Sequence, residues 1–190
     1  MGINHVYIEN YNIGAQFCIA VHEKGVVVIY VHNNLKFSNI DLSKHCKEKD
    51  IEICTVKLNL SSSTVCIVTI YRSSLGNFNY FLQSLDNVLQ SLYTPAFNII
   101  ICDDIKINYI VESEQKDQLD NLLLMYYLTG IEDFPVRIIH TSATTADNIF
   151  IDIAHLEDYL VIPFSNDLLD HDAQILMIKI SFQIQSDRLK

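Results

Sequence analysis

Apolar residues follow two different spacings along this chain, and each spacing predicts a different kind of element. Residues 26–31 and 97–103 are short apolar runs rich in β-branched side chains, which is typical of strands buried on both faces. Residues 51–60 alternate between apolar and polar, as a half-buried strand does, and residues 64–71 form the next strand. Because the Ser-rich link between these last two is too short for a crossover, we expect them to be antiparallel.

Three- and four-residue spacing of apolar positions predicts two helices. The first follows Asn77, which can cap its N-terminus, and it ends before Pro95. The second covers about residues 114–129, with Gly130 as its stop signal.

The remaining chain adds more strands than helices. Further strands are predicted at 136–140, 147–153, 159–163 and 175–184. Residues 1–17 show no persuasive element, and residues 38–50 are predicted to be loop with one helical turn near 42–45. A strand-rich chain with antiparallel pairs and two helices indicates a mixed α/β layered fold. Two sheets packed face to face, with the helices outside, would use all of these elements.

Composition indicates one globular domain over residues 1–190. The hydrophobic fraction is 49%, and the few Gly and Pro residues give no sign of a linker. The formal net charge of -10 argues against a surface that coats nucleic acid in general, because binding to phosphates needs basic density. The same charge is compatible with carboxylates gathered around a divalent cation.

The sequence gives no sign of a membrane or secreted protein. We find no apolar run of the roughly 18 residues that a membrane span needs, and no signal peptide at the N-terminus. The five cysteines are an odd number without C-x-x-C spacing, which favours free buried thiols. We therefore expect an intracellular protein, nuclear or cytoplasmic, without a membrane partner.

Polar groups that could do chemistry stand where the predicted strands begin or end. They are Tyr71–Arg72, Asp103–Asp104, Asp147–Asn148 and Asp170–His171–Asp172. Each group has a structural alternative, since a strand end, a turn, a surface loop or a rim pair would use the same residue types. Strand ends on one side of a layered sheet could bring these groups together. Their common location at strand ends therefore favours a functional site over four unrelated surface features.

Long stretches of the chain resemble one protein family. The matching segments are 11–14, 25–35, 41–44, 50–60, 70–73, 76–78, 91–95, 100–109, 119–123, 134–138, 147–152 and 170–174. They resemble the endonuclease/exonuclease/phosphatase superfamily, the DNase I-like proteins. Within it they are most similar to the apurinic-type endonuclease domain of insect non-LTR retrotransposons.

The resemblance implies both a fold and an activity. The fold is a four-layer α/β sandwich, two packed mixed β-sheets flanked by helices, which agrees with the layered fold predicted above. The activity is Mg²⁺-dependent hydrolysis of a DNA phosphodiester, with DNA as partner and Mg²⁺ as cofactor. In these retrotransposons the reaction nicks the target DNA for insertion.

The resemblance also assigns roles to residues. Asp104 would orient or activate the attacking water, and Tyr71 would donate a hydrogen bond to the phosphate. His171 would bond to a phosphate oxygen, with Asp147 holding its imidazole.

Two further roles concern charge at the site. Asp170 would help to hold Mg²⁺, which takes carboxylate and water oxygens. Arg72 could add positive charge near the strand being cut.

Several residues depart from the family pattern and predict that hydrolysis is impaired. The family motif Gly-Asp-x-Asn reads Asp103-Asp104-Ile105-Lys106 here, so Lys106 replaces the Asn that shares the substrate with Asp104. A Lys lacks the acceptor of the amide, and its ammonium can pair with Asp104. Leu169 replaces a family Ser. The family also carries a metal-binding Glu on strands upstream of the segment that matches 11–14, so we expect this sequence to lack that Glu and the first strands.

Two function hypotheses follow. The first is a retrotransposon-derived Mg²⁺ phosphodiesterase acting on DNA, with activity that is weak or lost. The second is a catalytically dead fragment that is kept as a binding module or has no function. The target sequence and the oligomeric state are left open.

Overall fold

The computed structural model describes residues 6–18, 26–47, 50–60, 63–131, 137–139, 142–144, 147–154, 156, 158–164 and 173–179. The elements in these segments are β1 (Tyr11–Cys18), β2 (Val26–His32), β3 (Phe37–Asn39), a 3₁₀ turn (Ser43–His45), β4 (Glu52–Asn59), β5 (Thr64–Tyr71), α1 (Phe78–Leu92), β6 (Phe97–Asp104), α2 (Glu114–Leu124), β7 (Leu128–Gly130), β8 (Arg137–Ile139), β9 (Ser142–Thr144), β10 (Ile149–Asp152), β11 (Tyr159–Phe164) and β12 (Ala173–Ile178). No helix within these segments is long and apolar enough to span a membrane.

A six-stranded mixed sheet with the order β3-β4-β5-β6-β10-β7 lies at the centre. Strands β5 and β6 are parallel, and the other neighbouring pairs in this sheet are antiparallel. The predicted antiparallel pairing of β4 with β5 is therefore confirmed. The parallel step from β5 to β6 runs through α1, since parallel strands need a long crossover.

Strand β6 is buried on both faces, as its unbroken apolar run predicted. Ile99 and Ile101 are 2% and 1% exposed and belong to the core on the helix side of the sheet. Ile100, 5% exposed, belongs to the core on the opposite side. Successive strand residues point to opposite faces, so both faces of β6 must be covered.

Helix α1 forms as its spacing predicted. The Asn77 side chain accepts a hydrogen bond from the backbone N–H of Tyr80 at 3.0 Å and caps the N-terminus. The buried apolar residues of the helix lie on one face. They are Phe81, Leu85, Val88, Leu89 and Leu92.

Helix α2 is shorter than predicted. It ends at Leu124, and Tyr127 with a φ of 58° turns the chain into β7. Gly130 is the last residue of β7 and does not stop a helix. Leu128 is 2% exposed and pairs with Asp152 of β10, so burial and pairing at the sheet edge determine this segment.

Two hairpins cover the face of the six-stranded sheet opposite to the helices. Strands β1 and β2 form the first, and strands β11 and β12 form the second. Apolar residues of β2, β4, β6 and β10 share one core there, and side chains of β11 and β12 pack against it. The predicted α/β sandwich with two packed sheet layers is confirmed. Both described helices lie on the same side of the six-stranded sheet.

Some strands were missed by the sequence prediction. Strand β1 occupies a region where no element was predicted, and β3 lies partly in the predicted loop at 38–50. Strand β9 was not predicted, and β12 begins at residue 173 instead of 175. The helical turn predicted near 42–45 is the 3₁₀ turn.

Strand β1 depends on a close approach at Gly14. A Cβ at this position would lie 2.6 Å from Val31 Cγ2 and 2.9 Å from Val56 Cγ2, which is closer than atoms can pack. The absence of a side chain at Gly14 therefore lets the β1–β2 hairpin pack directly on β4.

We expect Gly14→Ala to lower the free energy of unfolding by about 1–3 kcal/mol, because the added methyl overpacks this contact. Urea unfolding followed by circular dichroism measures the change. Gly130→Ala is the matched control, since its Cβ would meet Phe150 at an ordinary 3.4 Å. We expect the control to be neutral or stabilising by up to ~1 kcal/mol. Equal losses for the two variants would contradict this account of β1.

Candidate functional site

The ends of β5 and β6 and the start of β10 meet at one edge of the six-stranded sheet. Tyr71, the last residue of β5, is the register partner of Asp104, the last residue of β6. The N–H of Asp103 donates to the carbonyl of Asn148 at 2.9 Å, just before β10. Asp147 therefore lies beside Asp104. Three of the predicted site residues, Tyr71, Asp104 and Asp147, thus come together here.

Lys106 forms an ion pair with Asp104. Its Nζ lies 2.6 Å from both carboxylate oxygens of Asp104 and donates a hydrogen bond to Oδ2. The two side chains are 29% and 32% exposed, so the pair is half-buried. Lys106 has a φ of 58°, in the left-handed region, which turns its side chain back towards a residue only two positions earlier.

The Asp104 carboxyl lies in an environment with excess negative charge. Burial raises its pKa above the ordinary value, and a hydrogen bond from Lys106 acts in the opposite direction. The charge of Asp147 and a hydrogen bond with the Asp147 side chain raise this pKa further. The net direction is upward although an ammonium is in contact, so one Lys does not fully offset burial and the neighbouring carboxylate.

Arg72 lies inside the protein and not at the rim of the site. It is 3% exposed, and its guanidinium lies 5.3 Å and 5.6 Å from the ring centroids of Phe78 and Phe81. Its Nε–H donates to the carbonyl of Ile105 at 2.9 Å, and its backbone N–H donates to the carbonyl of Asp104 at 3.0 Å. The prediction that Arg72 adds charge next to the DNA does not fit this burial.

Arg72 instead fixes the backbone of residues 104–106. It holds two successive carbonyl groups, and the Ile105 side chain, 1% exposed, anchors the same segment in the core. The positions of Asp104 and Lys106 therefore depend on a buried arginine.

Glu52 is a buried carboxylate that the sequence prediction did not include in the site. It is 1% exposed and is the register partner of Tyr71 across β4 and β5. Directly opposed strand residues share a face, so Glu52, Tyr71 and Asp104 form one cross-strand row. The sequence signal was the antiparallel pairing itself, because the short link between β4 and β5 fixes this register.

Other predicted site residues are not placed. Asp170 and His171 lie outside the described residues, and their roles stay predictions. The described chain resumes at Ala173, and the Nε2 of the next residue, Gln174, donates to the carbonyl of Asp147 at 2.8 Å.

The described part of the site does not fit a Mg²⁺ ion. In that part of the chain, no group of three His, Cys, Asp or Glu residues could hold a metal ion. Both oxygens of Asp104 already contact an ammonium. Mg²⁺ is held by one or two carboxylates and water at about 2.0–2.1 Å, and the Lys106 ammonium occupies the space at Asp104 where such an ion would bind.

Comparison with solved structures identifies the fold. The endonuclease domain of TRAS1, a telomere-specific non-LTR retrotransposon, is similar with a TM-score of 0.73 over 92% of this chain and 83% of that domain, at 13% identity. A mannosyl-6-phosphatase of Bacteroides thetaiotaomicron gives a TM-score of 0.61 over 91% of this chain and 78% of its own, at 11% identity. An endonuclease/exonuclease/phosphatase family protein of the same bacterium gives 0.58 over 89% and 75%, at 12% identity. The chain has the endonuclease/exonuclease/phosphatase fold.

The similarity to these proteins lies in the backbone and not in the sequence. No protein-family sequence profile matches the chain, and no curated protein sequence does. At identities of 11–13% the backbone and its layers are alike, while individual side chains have to be judged on their own geometry. The Lys106–Asp104 pair is one such feature.

The role of Arg72 can be tested by removing its charge and its donors. We expect Arg72→Met to keep most contact with the two Phe rings but to leave the Ile105 carbonyl without its donor. The free energy of unfolding should fall by about 1–3 kcal/mol, the cost of an unsatisfied buried polar group. Urea denaturation measures it. Lys116→Met is the control, because it removes a surface pair with Glu112 and should cost less than about 1 kcal/mol. Similar costs for both variants would show that Arg72 has no special structural role.

Proposed function

We propose that this chain is a retrotransposon-derived endonuclease domain in which hydrolysis of DNA phosphodiesters is impaired. The observation that carries the proposal is the contact of the Lys106 ammonium with both oxygens of Asp104. The fold and the row of polar residues at one sheet edge support the nuclease ancestry. The ion pair supports the loss of activity.

The remaining residues suit a site for a phosphodiester. Tyr71 offers a phenolic O–H at the end of β5, and Asp104 offers a carboxylate beside it. In the proposed ancestral reaction, Asp104 activates a water and Tyr71 donates to a phosphate oxygen. His171 would donate to a second phosphate oxygen, with Asp147 orienting its imidazole.

The ion pair affects the step that needs a base. A carboxylate can accept a proton from water only through an oxygen that the water can approach. Lys106 stands 2.6 Å from both oxygens of Asp104 and donates a hydrogen bond to Oδ2, so an approaching water meets an ammonium at the carboxylate. An amide at the same position would remove the ammonium from the Asp104 oxygens and leave them open to water. We therefore assign the main loss of activity to Lys106.

A second candidate function is binding without hydrolysis. The same ion pair favours it, because a site with a fixed ammonium can still contact a phosphate. The net charge of -10 opposes a tight contact with DNA, so any binding of this kind should be weak and sensitive to salt.

Nicking of supercoiled plasmid in the presence of Mg²⁺ tests the proposal. We expect the wild-type chain to nick at or near the rate without protein. Lys106→Asn should raise the rate by about 10²-fold, the usual contribution of a positioned general base. Adding His171→Ala to Lys106→Asn should abolish the gain.

The control is Lys116→Asn, which removes a lysine whose ion pair is with Glu112 and not with Asp104, and it should leave the rate unchanged. Wild-type nicking that His171→Ala abolishes would overturn the proposed impairment. Failure of Lys106→Asn to nick, together with salt-sensitive retention of plasmid by the wild-type chain, would favour the binding function.

A further inference from the structure

Two carboxyl groups share the half-buried edge of the sheet. Burial raises the pKa of the Asp104 carboxyl, and the charge of the neighbouring Asp147 raises it further. Such a pair needs a positive charge close by, because water reaches it only in part. In the described part of this edge, the cation in contact with Asp104 is Lys106.

The ammonium of Lys106 is held in place by the backbone that carries it. Its left-handed φ of 58° brings the side chain back over Asp104. Arg72 binds the carbonyls of Asp104 and Ile105, so this backbone is fixed from inside the protein. A tethered cation has a high local concentration at its partner and does not have to be recruited from solution.

The position of the ammonium is also the position that a metal would need. Its Nζ is 2.6 Å from each oxygen of Asp104, so it occupies the space in front of the carboxylate. A divalent cation bound to the same oxygens would lie within a few ångströms of a fixed positive charge. Repulsion between the two cations therefore opposes metal binding.

We propose that Lys106 serves as a built-in counter-cation for Asp104, the carboxylate next to Asp147, and excludes divalent metal ions from this edge of the sheet. The inference rests on the same ion pair as the proposed function, but it concerns metal binding and can be tested without DNA. It reverses the expectation, drawn from the family resemblance, that the site works with Mg²⁺.

Mn²⁺ is a suitable probe, because it takes the same carboxylate and water ligands as Mg²⁺ and broadens nearby nuclear magnetic resonance signals. The full chain, labelled with ¹⁵N, is titrated with Mn²⁺ and the amide signals of residues 103–105 and 147–148 are followed. We expect these signals to persist in the wild-type chain. In Lys106→Met they should broaden at a Mn²⁺ concentration at least about tenfold lower.

Lys116→Met is the matched control. Lys116 also lies 2.6 Å from a carboxylate, that of Glu112, and 5.9 Å from the centroid of an aromatic ring, that of Tyr109. Lys106 has the equivalent contacts with Asp104 and, at 6.0 Å, with Tyr71. The control should leave the signals of residues 103–105 and 147–148 as in the wild-type chain.

Lys106→Asn is a second variant, in case the Met side chain disturbs the local fold, because Asn adopts the left-handed conformation readily. It should show the same gain in Mn²⁺ sensitivity. Site-specific broadening already present in the wild-type chain would overturn the inference. So would a folded Lys106→Met and a folded Lys106→Asn that both remain insensitive to Mn²⁺.

The plasmid assay and the metal titration can fail separately. If a variant gains Mn²⁺ binding but does not nick DNA, the result supports the metal-excluding role of Lys106. It contradicts the assignment of the lost activity to Lys106. If a variant nicks DNA while the signals of residues 103–105 and 147–148 stay sharp with Mn²⁺, the result supports the impaired-nuclease proposal. It contradicts the metal-excluding role of Lys106.

Discussion

The parallel pairing of β5 with β6 determines where Tyr71 and Asp104 lie. Its register puts Tyr71 beside Asp104, and the backbone N–H of Arg72 continues the same contact by donating to the Asp104 carbonyl. A slip of one residue would move each side chain to the other face of the sheet. The register is held because β6 is buried on both faces, with Ile100 on one side and Ile99 and Ile101 on the other.

The same pairing creates an electrostatic constraint. It brings the Asp104 carboxyl to a half-buried edge close to Asp147, which lies just before β10, and burial and the Asp147 charge both raise the pKa of Asp104. The left-handed backbone at Lys106 and the buried Arg72 then act together, because one aims the ammonium and the other fixes the chain that carries it. The Lys106–Asp104 pair is thus integrated into the packing of the protein.

Sequence patterns were sufficient where a single physical signal dominated. The apolar run of β6, the short link between β4 and β5, and the capped periodic helix α1 each allowed one solution. Strand β1 was missed because Gly14 weakens its pattern, and only its approach to Val31 and Val56 explains why it forms. Arg72 was misplaced because a charged residue after a strand usually reaches solvent. The rings that cover it, Phe78 and Phe81, come from the following helix and cannot be assigned to it from local sequence.

Lys106 bears on both the chemistry and the stability of this edge of the sheet. A nuclease site with unpaired, partly buried carboxylates is costly to maintain in the absence of a bound cation, since each charge loses hydration and repels the other. Lys106 supplies the missing positive charge through a contact of 2.6 Å with both oxygens of Asp104. Catalytic residues are commonly kept at the expense of stability. A lysine at this position relieves that cost, and the contact that relieves it places an ammonium against both oxygens of Asp104.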